Sequence, residues 1–466
     1  MSKLVNAIAS SRSQNSALTE NGALTNKTSL SKMVDLFFIA GASRGKDLSA
    51  QFAQAHNEDQ HLSIRLAQWL RDAREGAGER EQFRNVLRWL INNDQAGARA
   101  LLAKTPFLGR WDDVLVALNT PLHEDAVALI RTALNAKDGL CAKWMPRKGA
   151  EAVALRTALL MTPKQYRKTL VTLSNTVEQA MCAQNWDGIN YSHVPSVAFS
   201  RYKKAFNKHS PEAFAGFVTK VQKGEAKINA SAIFPHDIIR SLRTSRGVET
   251  TAANEQWKAL PNFLEGSNEN ILVMCDSSGS MTGGMPGNGA QPIDVAVALS
   301  IYMSERMGGH FKDTFLTFSS RPTLQRLSGS LKDRVTQLER AQWEMSTNLQ
   351  AAFALILDAA VKHRLPQAEL PTKILIVSDM EFDACGGRTN FDAARAQFAK
   401  AGYTAPDIVF WNVRGRVGNA PVTRHQSGAA LVSGFSPAIV RSVLGQKEIT
   451  PEQVMLKALL SERYDF

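Results

Sequence analysis

From residue 31 to about 265, apolar positions recur at three- and four-residue spacing, and strand-like alternation is nearly absent. Ser31 reads as a helix cap before Met33, Val34, Leu36, Phe37, Phe38 and Ile39, with Gly41 and Gly45 closing the run. Helical spacing follows over Leu62 to Leu70 and over Glu79 to Asn92, with Gly76 and Gly78 breaking the chain between them. Further helices are expected near 95–103, 111–118, 122–135, 150–160, 163–182, 210–221 and 235–243. Helix after helix of this length predicts a HEAT-like α-solenoid of stacked pairs sharing a buried seam. Residues 250–268 carry Thr, Ala, Asn, Pro261 and Gly266 and read as a linker.

Beyond residue 270 the period changes. Ile271–Asp276 and Ile374–Ser378 are short apolar runs of buried-strand type, and 313–318 with 322–327 reads as a hairpin. Strands at 408–413 and 429–433 follow, with helices expected at 293–307, 349–362, 391–401, 437–444 and 451–462. Alternating strands and helices predict a doubly wound α/β domain. The expected organisation is an N-terminal arm (1–30), a helical-repeat domain (31–265) and an α/β domain (266–466). The arm is rich in Ser, Asn and Thr and has a turn at Asn21-Gly22.

The most informative stretch is Ile271-Leu-Val-Met-Cys-Asp276-Ser-Ser278-Gly-Ser280, a strand that ends on one carboxylate and two alternating hydroxyls. In an open α/β sheet, the loop at a strand's carboxyl end is where ligands sit. Carboxylate and hydroxyl oxygens are hard donors, suited to Mg2+ that keeps some of its water. A capped turn would have the same composition. Two later stretches, Thr347 ahead of a long apolar helix and a second strand ending at Asp379, add to the first. The set resembles the metal-ion-dependent adhesion site of von Willebrand factor A domains. That resemblance implies Mg2+ or Mn2+ held by Asp276, Ser278, Ser280, Thr347 and Asp379.

Charge sharpens the division. Residues 1–265 hold 35 Lys+Arg against 24 Asp+Glu, a balance of +11, and residues 266–466 hold 20 against 19, a balance of +1. A basic helical part joined to a near-neutral α/β part suggests a polyanion partner for the former. Two basic segments carry aromatics, Lys143-Trp-Met-Pro-Arg147-Lys148 and Arg201-Tyr-Lys203-Lys204 running to Lys208-His209. Cations beside aromatics suit phosphate contact and base stacking, so Lys143, Arg147, Lys148, Arg201, Lys203, Lys204, Lys208 and His209 are the candidate nucleic-acid-binding residues. His193 has no Ser, Cys or acid arrangement near it in sequence that would make it a base. The four cysteines, Cys141, Cys182, Cys275 and Cys385, lie far apart, which argues against a zinc site or a disulfide framework. No apolar run reaches membrane-spanning length and no secretory signal is visible, so the expectation is a cytoplasmic protein with no membrane partner.

A helical-repeat region followed by a metal-site A domain resembles the Ro ribonucleoprotein family, whose helical part is called the TROVE domain. Its plant and phage relatives, long filed as a domain of unknown function, resemble the chain at Thr19-Glu-Asn-Gly22, Arg71-Asp-Ala-Arg-Glu-Gly-Ala-Gly-Glu-Arg80, Tyr191-Ser-His-Val-Pro-Ser-Val197, Ser378-Asp-Met-Glu-Phe382 and Phe410-Trp-Asn-Val-Arg414. The resemblance implies a ring-shaped RNA-binding protein that takes single-stranded, misfolded or Y-like structured RNA. It also implies work with an exoribonuclease, or another protein, through the metal site. A second reading is a scaffold or assembly protein in which the A domain does the recognising. An enzyme is the least favoured reading, since the sequence has no P-loop, no nucleophile elbow and no paired carboxylates outside the metal motif.

Overall fold

Ile271–Asp276, Lys373–Ser378 and Asp407–Asn412 are nearly continuous apolar runs, as parallel strands covered on both faces require. In the computed structural model, which describes residues 15–282, 290–318, 321–341, 347–384, 389–446 and 448–466, they form the middle of a six-stranded sheet. Numbered along the chain, β1 (Ser16–Leu18) and β2 (Leu24–Asn26) form a separate antiparallel hairpin. The sheet comprises β3 (Ile271–Asp276), β4 (Thr314–Phe318), β5 (Leu324–Arg326), β6 (Lys373–Ser378), β7 (Asp407–Asn412) and β8 (Ala429–Ser433), in the order β5-β4-β3-β6-β7-β8. Only the β4–β5 pairing is antiparallel. Strand order reverses between β3 and β6, and Asp276 and Ser378 lie at their carboxyl ends. That crevice is the ligand position of a doubly wound sheet.

The expected α/β elements are present, most within one or two residues of the reading. Residues 437–442 form a 3-10 helix rather than an α-helix. Ahead of the sheet lies the helical region, with four further helices that the periodicity did not show: Ser49–Glu58, Gly139–Trp144, Ser196–His209 and Val248–Lys258. The single helix expected over 163–182 is two, Pro163–Ser174 and Val177–Cys182, because Asn175 turns out at φ 27° and Thr176 caps a new start. The linker reading of 250–268 is corrected. Its polar composition hides Ala252, Ala253, Trp257, Leu260, Phe263 and Leu264, all buried. Trp257 Nε1 donates to Glu305 at 3.0 Å, and the Phe263 amide donates to the Tyr302 hydroxyl at 3.1 Å.

The helical region comes back on itself. Arg44, near its start, lies over the Phe234 ring (5.9 Å) from its end and over Phe435 (4.2 Å) of the α/β domain. A side chain at Gly78 would place its Cβ 2.6 Å from Phe234 Cζ, so this closure needs a residue without one. One apolar core runs without interruption from Ala23 through the first helices and the last ones into the sheet. A second, smaller core holds Tyr191, Phe199, Phe206, Phe214 and Phe217. Helix Lys32–Ala40 packs on the α/β domain. Gly41 sits where a Cβ would be 2.3 Å from the Ser433 carbonyl oxygen, and Ser433 Oγ donates to the Phe37 carbonyl at 2.6 Å.

The chain's far end is clasped too. Asp72 is fully buried and accepts from Arg463 Nε and Nη2, the latter at 3.0 Å, and from the Tyr464 hydroxyl at 3.1 Å. Asp72→Ala would leave a largely covered guanidinium and a buried phenol without their acceptor. It should lower the unfolding free energy by about 3 kcal/mol, the scale for breaking a buried pair from one side. Urea denaturation checks this, and an unchanged midpoint would mean the clasp contributes nothing.

Candidate functional site

At the β3–β6 crevice the loop geometry follows from the residues after each strand. Asp276 Oδ1 accepts the Ser278 amide at 2.9 Å, folding the chain back over its own carboxylate, and the Ser278 and Ser280 hydroxyls lie 2.9 Å apart. Ser378 Oγ donates to Asp276 Oδ2 at 2.5 Å, tying the two strand ends together. Asp379 follows, fully buried, and its Oδ2 has no hydrogen-bond partner. Burial, then the neighbouring Asp379 charge, push the Asp276 carboxyl up to about 7 against the opposing hydrogen bonds from Ser378 and Ser278.

Two buried carboxylates, one with an oxygen that accepts no hydrogen bond, and two adjacent hydroxyls form an all-oxygen donor set that fits a hard divalent cation. Thr347 is engaged differently. Its hydroxyl donates to the Glu381 carbonyl at 2.6 Å, lies 2.9 Å from Asp383 Oδ1, and accepts from the Asn21 amide at 3.0 Å. Met345 and Ser346, which precede it, lie outside the described residues. Arg414 and Arg416, on the loop after β7, hold guanidinium nitrogens 3.6 and 3.9 Å from Asp379 Oδ2. Arg414 also donates to the Ser280 carbonyl.

The β1–β2 turn lies on this loop face. Thr19 Oγ1 donates to the Phe382 carbonyl at 2.7 Å, the Glu20 amide to Glu381 Oε2 at 2.6 Å, and the Asn21 side chain to the Glu381 carbonyl at 2.8 Å. Glu20 pairs with Arg416, whose hydrogen bond holds the Glu20 carboxyl below the usual carboxylate range. Arg416 also reaches Glu381 at 3.0 Å.

The helical region carries the second candidate site. Where its two ends meet lies a half-open cavity of about 830 Å3 whose walls run from Arg44 to Phe234. Arg44, Arg71, Arg74, Arg80, Arg110, Lys143 and Arg201 line it, with Phe107, Trp111, Trp144 and Tyr202. Not every cation there is free. Arg71 is bound to buried Asp113 at 2.7 Å, and Lys143 pairs with Glu178 at 3.3 Å. Arg110 pairs with Asp112 at 2.5 Å and stacks 4.0 Å above Trp144. Arg80 is crowded by Arg110 and Arg84, and burial first, then these like charges, depress its pKa.

The eight basic candidates do not form one surface. Lys143 and Arg201 line this cavity. Arg147 and Lys148 line a separate groove of about 740 Å3 with Arg156, Lys164 and Arg167. Lys204 and Lys208 are exposed, and the His209 ring stacks 4.3 Å from Trp186. Lys203 is a correction. Helix Ser196–His209 puts it on the stripe of Phe199 and Phe206, so it is buried and its ammonium reaches Ser241. Sequence reading passed over Arg44, Arg74, Arg80 and Arg110. Two of these, Arg74 and Arg80, lie in the 71–80 motif, which periodicity alone marks only as a helix break. Cys141, Cys182 and Cys275 are free thiols, and Cys385 lies outside the described residues. No helix among the described residues is long and apolar enough to cross a membrane.

Fold and sites together define a closed helical region joined to a doubly wound α/β domain with an oxygen-rich crevice. Two family models match the chain, each described as a domain of unknown function: DUF2828 over residues 19–100 and 130–268, and DUF7788 over residues 270–463. The chain is similar to the uncharacterized protein L728 of Acanthamoeba polyphaga mimivirus, 28% identical over 508 residues that span 96% of this chain and 87% of that one. Among solved structures it is similar to the Ro (RSR) protein of Deinococcus radiodurans, with a TM-score of 0.45 and 15% identity over 93% of this chain and 99% of that one.

Burial, opposed by Glu249 and aided by Lys204, pushes the Lys203 ammonium down to about 8. A lysine depressed on folding binds fewer protons than the unfolded chain between about 8 and 10.4, so stability rises with pH across that window. Lys203→Met should remove this dependence. Wild type should gain on the order of 2 kcal/mol relative to the variant between pH 7 and 10. Parallel pH curves in denaturation would show that Lys203 is solvated.

Proposed function

We propose that the chain is a non-catalytic RNA-binding protein. Single-stranded RNA occupies the cavity of the helical region, and the crevice face of the α/β domain docks a second macromolecule. The observation that carries the reading is the composition of the cavity wall. Seven Lys and Arg side chains there outnumber the carboxylates of Glu79, Glu81, Asp138 and Glu178 and stand among aromatic rings, the combination that tracks a phosphate backbone and stacks bases without reading them. Arg80 and Arg201 supply charge not held in an ion pair among the described residues. Arg110, held 4.0 Å over Trp144, adds a cation–aromatic pair to that wall.

At the crevice, Asp276, Ser278, Ser280 and Asp379 would hold Mg2+ or Mn2+, with Thr347 as the further hydroxyl once it is released from Asn21. Such a cation supplies an open coordination position for an acidic side chain of a protein partner. The residues themselves bury the charge, orient the hydroxyls and exclude water below the loop.

Two measurements test these assignments. For RNA, Arg80→Ala/Arg201→Ala should weaken a single-stranded oligonucleotide and flatten the log–log salt dependence by about 1.4, two phosphates at about 0.7 each. Lys204→Ala/Lys208→Ala, outside the cavity, should leave that slope unchanged. Equal slopes in the cavity variant and wild type would remove RNA from the cavity. For the metal, calorimetry with Mg2+ should give a binding isotherm that Asp276→Ala abolishes. Identical heats in both proteins would show that the crevice carboxylates hold no cation.

A further inference from the structure

The β1–β2 turn touches the same loops that frame the crevice, and its contacts are of an unusual kind for a structural element. Between residues 15 and 26, Ala23 is the single buried apolar side chain, and Leu18 is 68% exposed. Thr19, Asn21 and the Glu20 amide instead reach the loop after β6 through hydrogen bonds, and the Glu20 carboxylate reaches Arg416 from the loop after β7. A hairpin with strands of three residues does not hold itself together in water. Its order therefore comes from docking, through polar contacts that another turn of like chemistry could make.

We infer that the Thr19-Glu20-Asn21-Gly22 turn is a built-in occupant of the docking face. The partner that displaces it presents the same chemistry: a turn whose carboxylate takes Arg416 and whose amide and hydroxyl take the Glu381 and Phe382 carbonyls. The inference rests on reading the crevice face as a docking surface. Departure of the turn has two local consequences. Arg416 keeps Glu381 at 3.0 Å but loses Glu20, so a guanidinium edge faces outward beside buried Asp379. Thr347 loses the Asn21 amide, and its oxygen lone pairs become available at the rim of the crevice. The face is thus closed by a carboxylate-bearing segment of its own chain and opened by competition for the same contacts. Arg416 selects for an acidic occupant, since it already bridges two carboxylates and would repel a basic one.

The test uses the full chain and, as probe, a fluorescent synthetic peptide with the sequence of residues 15–27. In Thr19→Ala/Asn21→Ala, the resident turn loses three side-chain hydrogen bonds to the α/β domain, and with them the one that Thr19 accepts from the Ala23 amide. The peptide should bind that variant about tenfold or more tighter than wild type, as expected for a few such bonds. A peptide with Gln in place of the glutamate should lose this binding. If folded variant and wild type both ignore the peptide, or bind it equally, the turn is not an exchangeable occupant. Hydrogen exchange on wild type gives a second readout. Amides 19–26 should exchange through a local opening, well before those of β3 and β6, and protection equal to the central strands overturns the proposal. Neither readout requires RNA or metal, and running both with Mg2+ and with chelator separates a failed metal assignment from a failed occupant.

Discussion

Two carboxylates buried side by side set the terms for one end of this molecule. Asp276 and Asp379 lie at the carboxyl ends of β3 and β6, fully covered, in surroundings that favour neutrality for the former. A charge in that position must be matched by a cation, by hydrogen bonds or by a proton. The surrounding chain supplies partial answers. Ser378 and the Ser278 amide bond Asp276, while Arg414 and Arg416 stand just beyond hydrogen-bond distance of Asp379. Arg416 in turn pairs with Glu381 and Glu20, so each layer outward carries the opposite sign to the one beneath it. The N-terminal turn is the outermost layer of that alternation.

How much of this was legible in the sequence depended on whether each residue's signal was local. Strands β3, β6 and β7 announce themselves because parallel strands must be apolar throughout, and Asp276 and Asp379 stand out as the polar residues that end such runs. Helix 248–258 did not, because its buried face is built from Ala252, Ala253 and Trp257 among Thr, Asn and Glu, too little apolar volume to show a period. Lys203 was misread for the opposite reason. A lysine in a basic run looks solvated until the helix phase is known, and Phe199 and Phe206 fix that phase inward. The 71–80 motif shows a third limit. Its arginines gain meaning only from partners far along the chain, with Arg71 on Asp113 and Asp72 on Arg463.

The charge split between the two halves of the chain takes a specific form in the fold. Near-neutrality of the α/β part does not mean that it is electrostatically bland, since its crevice concentrates Asp276, Asp379, Glu381 and two arginines in one place. The basic excess of the helical part is likewise uneven. Some cations, such as Arg71 and Arg84, are tied to Asp113 and hold helices together. Others, such as Arg80 and Arg201, line the cavity with no ion pair among the described residues. Net charge counts both kinds alike, and only the positions distinguish cations that hold helices together from those that face the cavity.

The two candidate sites are close in sequence at the N-terminus yet mechanically separable. Directly after the hairpin, Asp35 accepts from the Ser29 amide at 2.6 Å and from the Thr28 hydroxyl, and the Ser29 carbonyl accepts the Arg424 amide at 2.8 Å. Glu58 accepts from the Ser31 hydroxyl and the Lys32 amide, each at 2.5 Å. These bonds fasten residues 28–32 to the first two helices of the helical region and to the α/β domain at once. Upstream of them lie a single buried apolar side chain and a set of exchangeable polar contacts. Downstream, Met33 to Ala40 are almost wholly buried against the common core. Resistance to opening therefore rises steeply at Thr28. Release of the turn stops there, and the closed helical region that begins with Lys32 keeps its shape whichever segment occupies the crevice face.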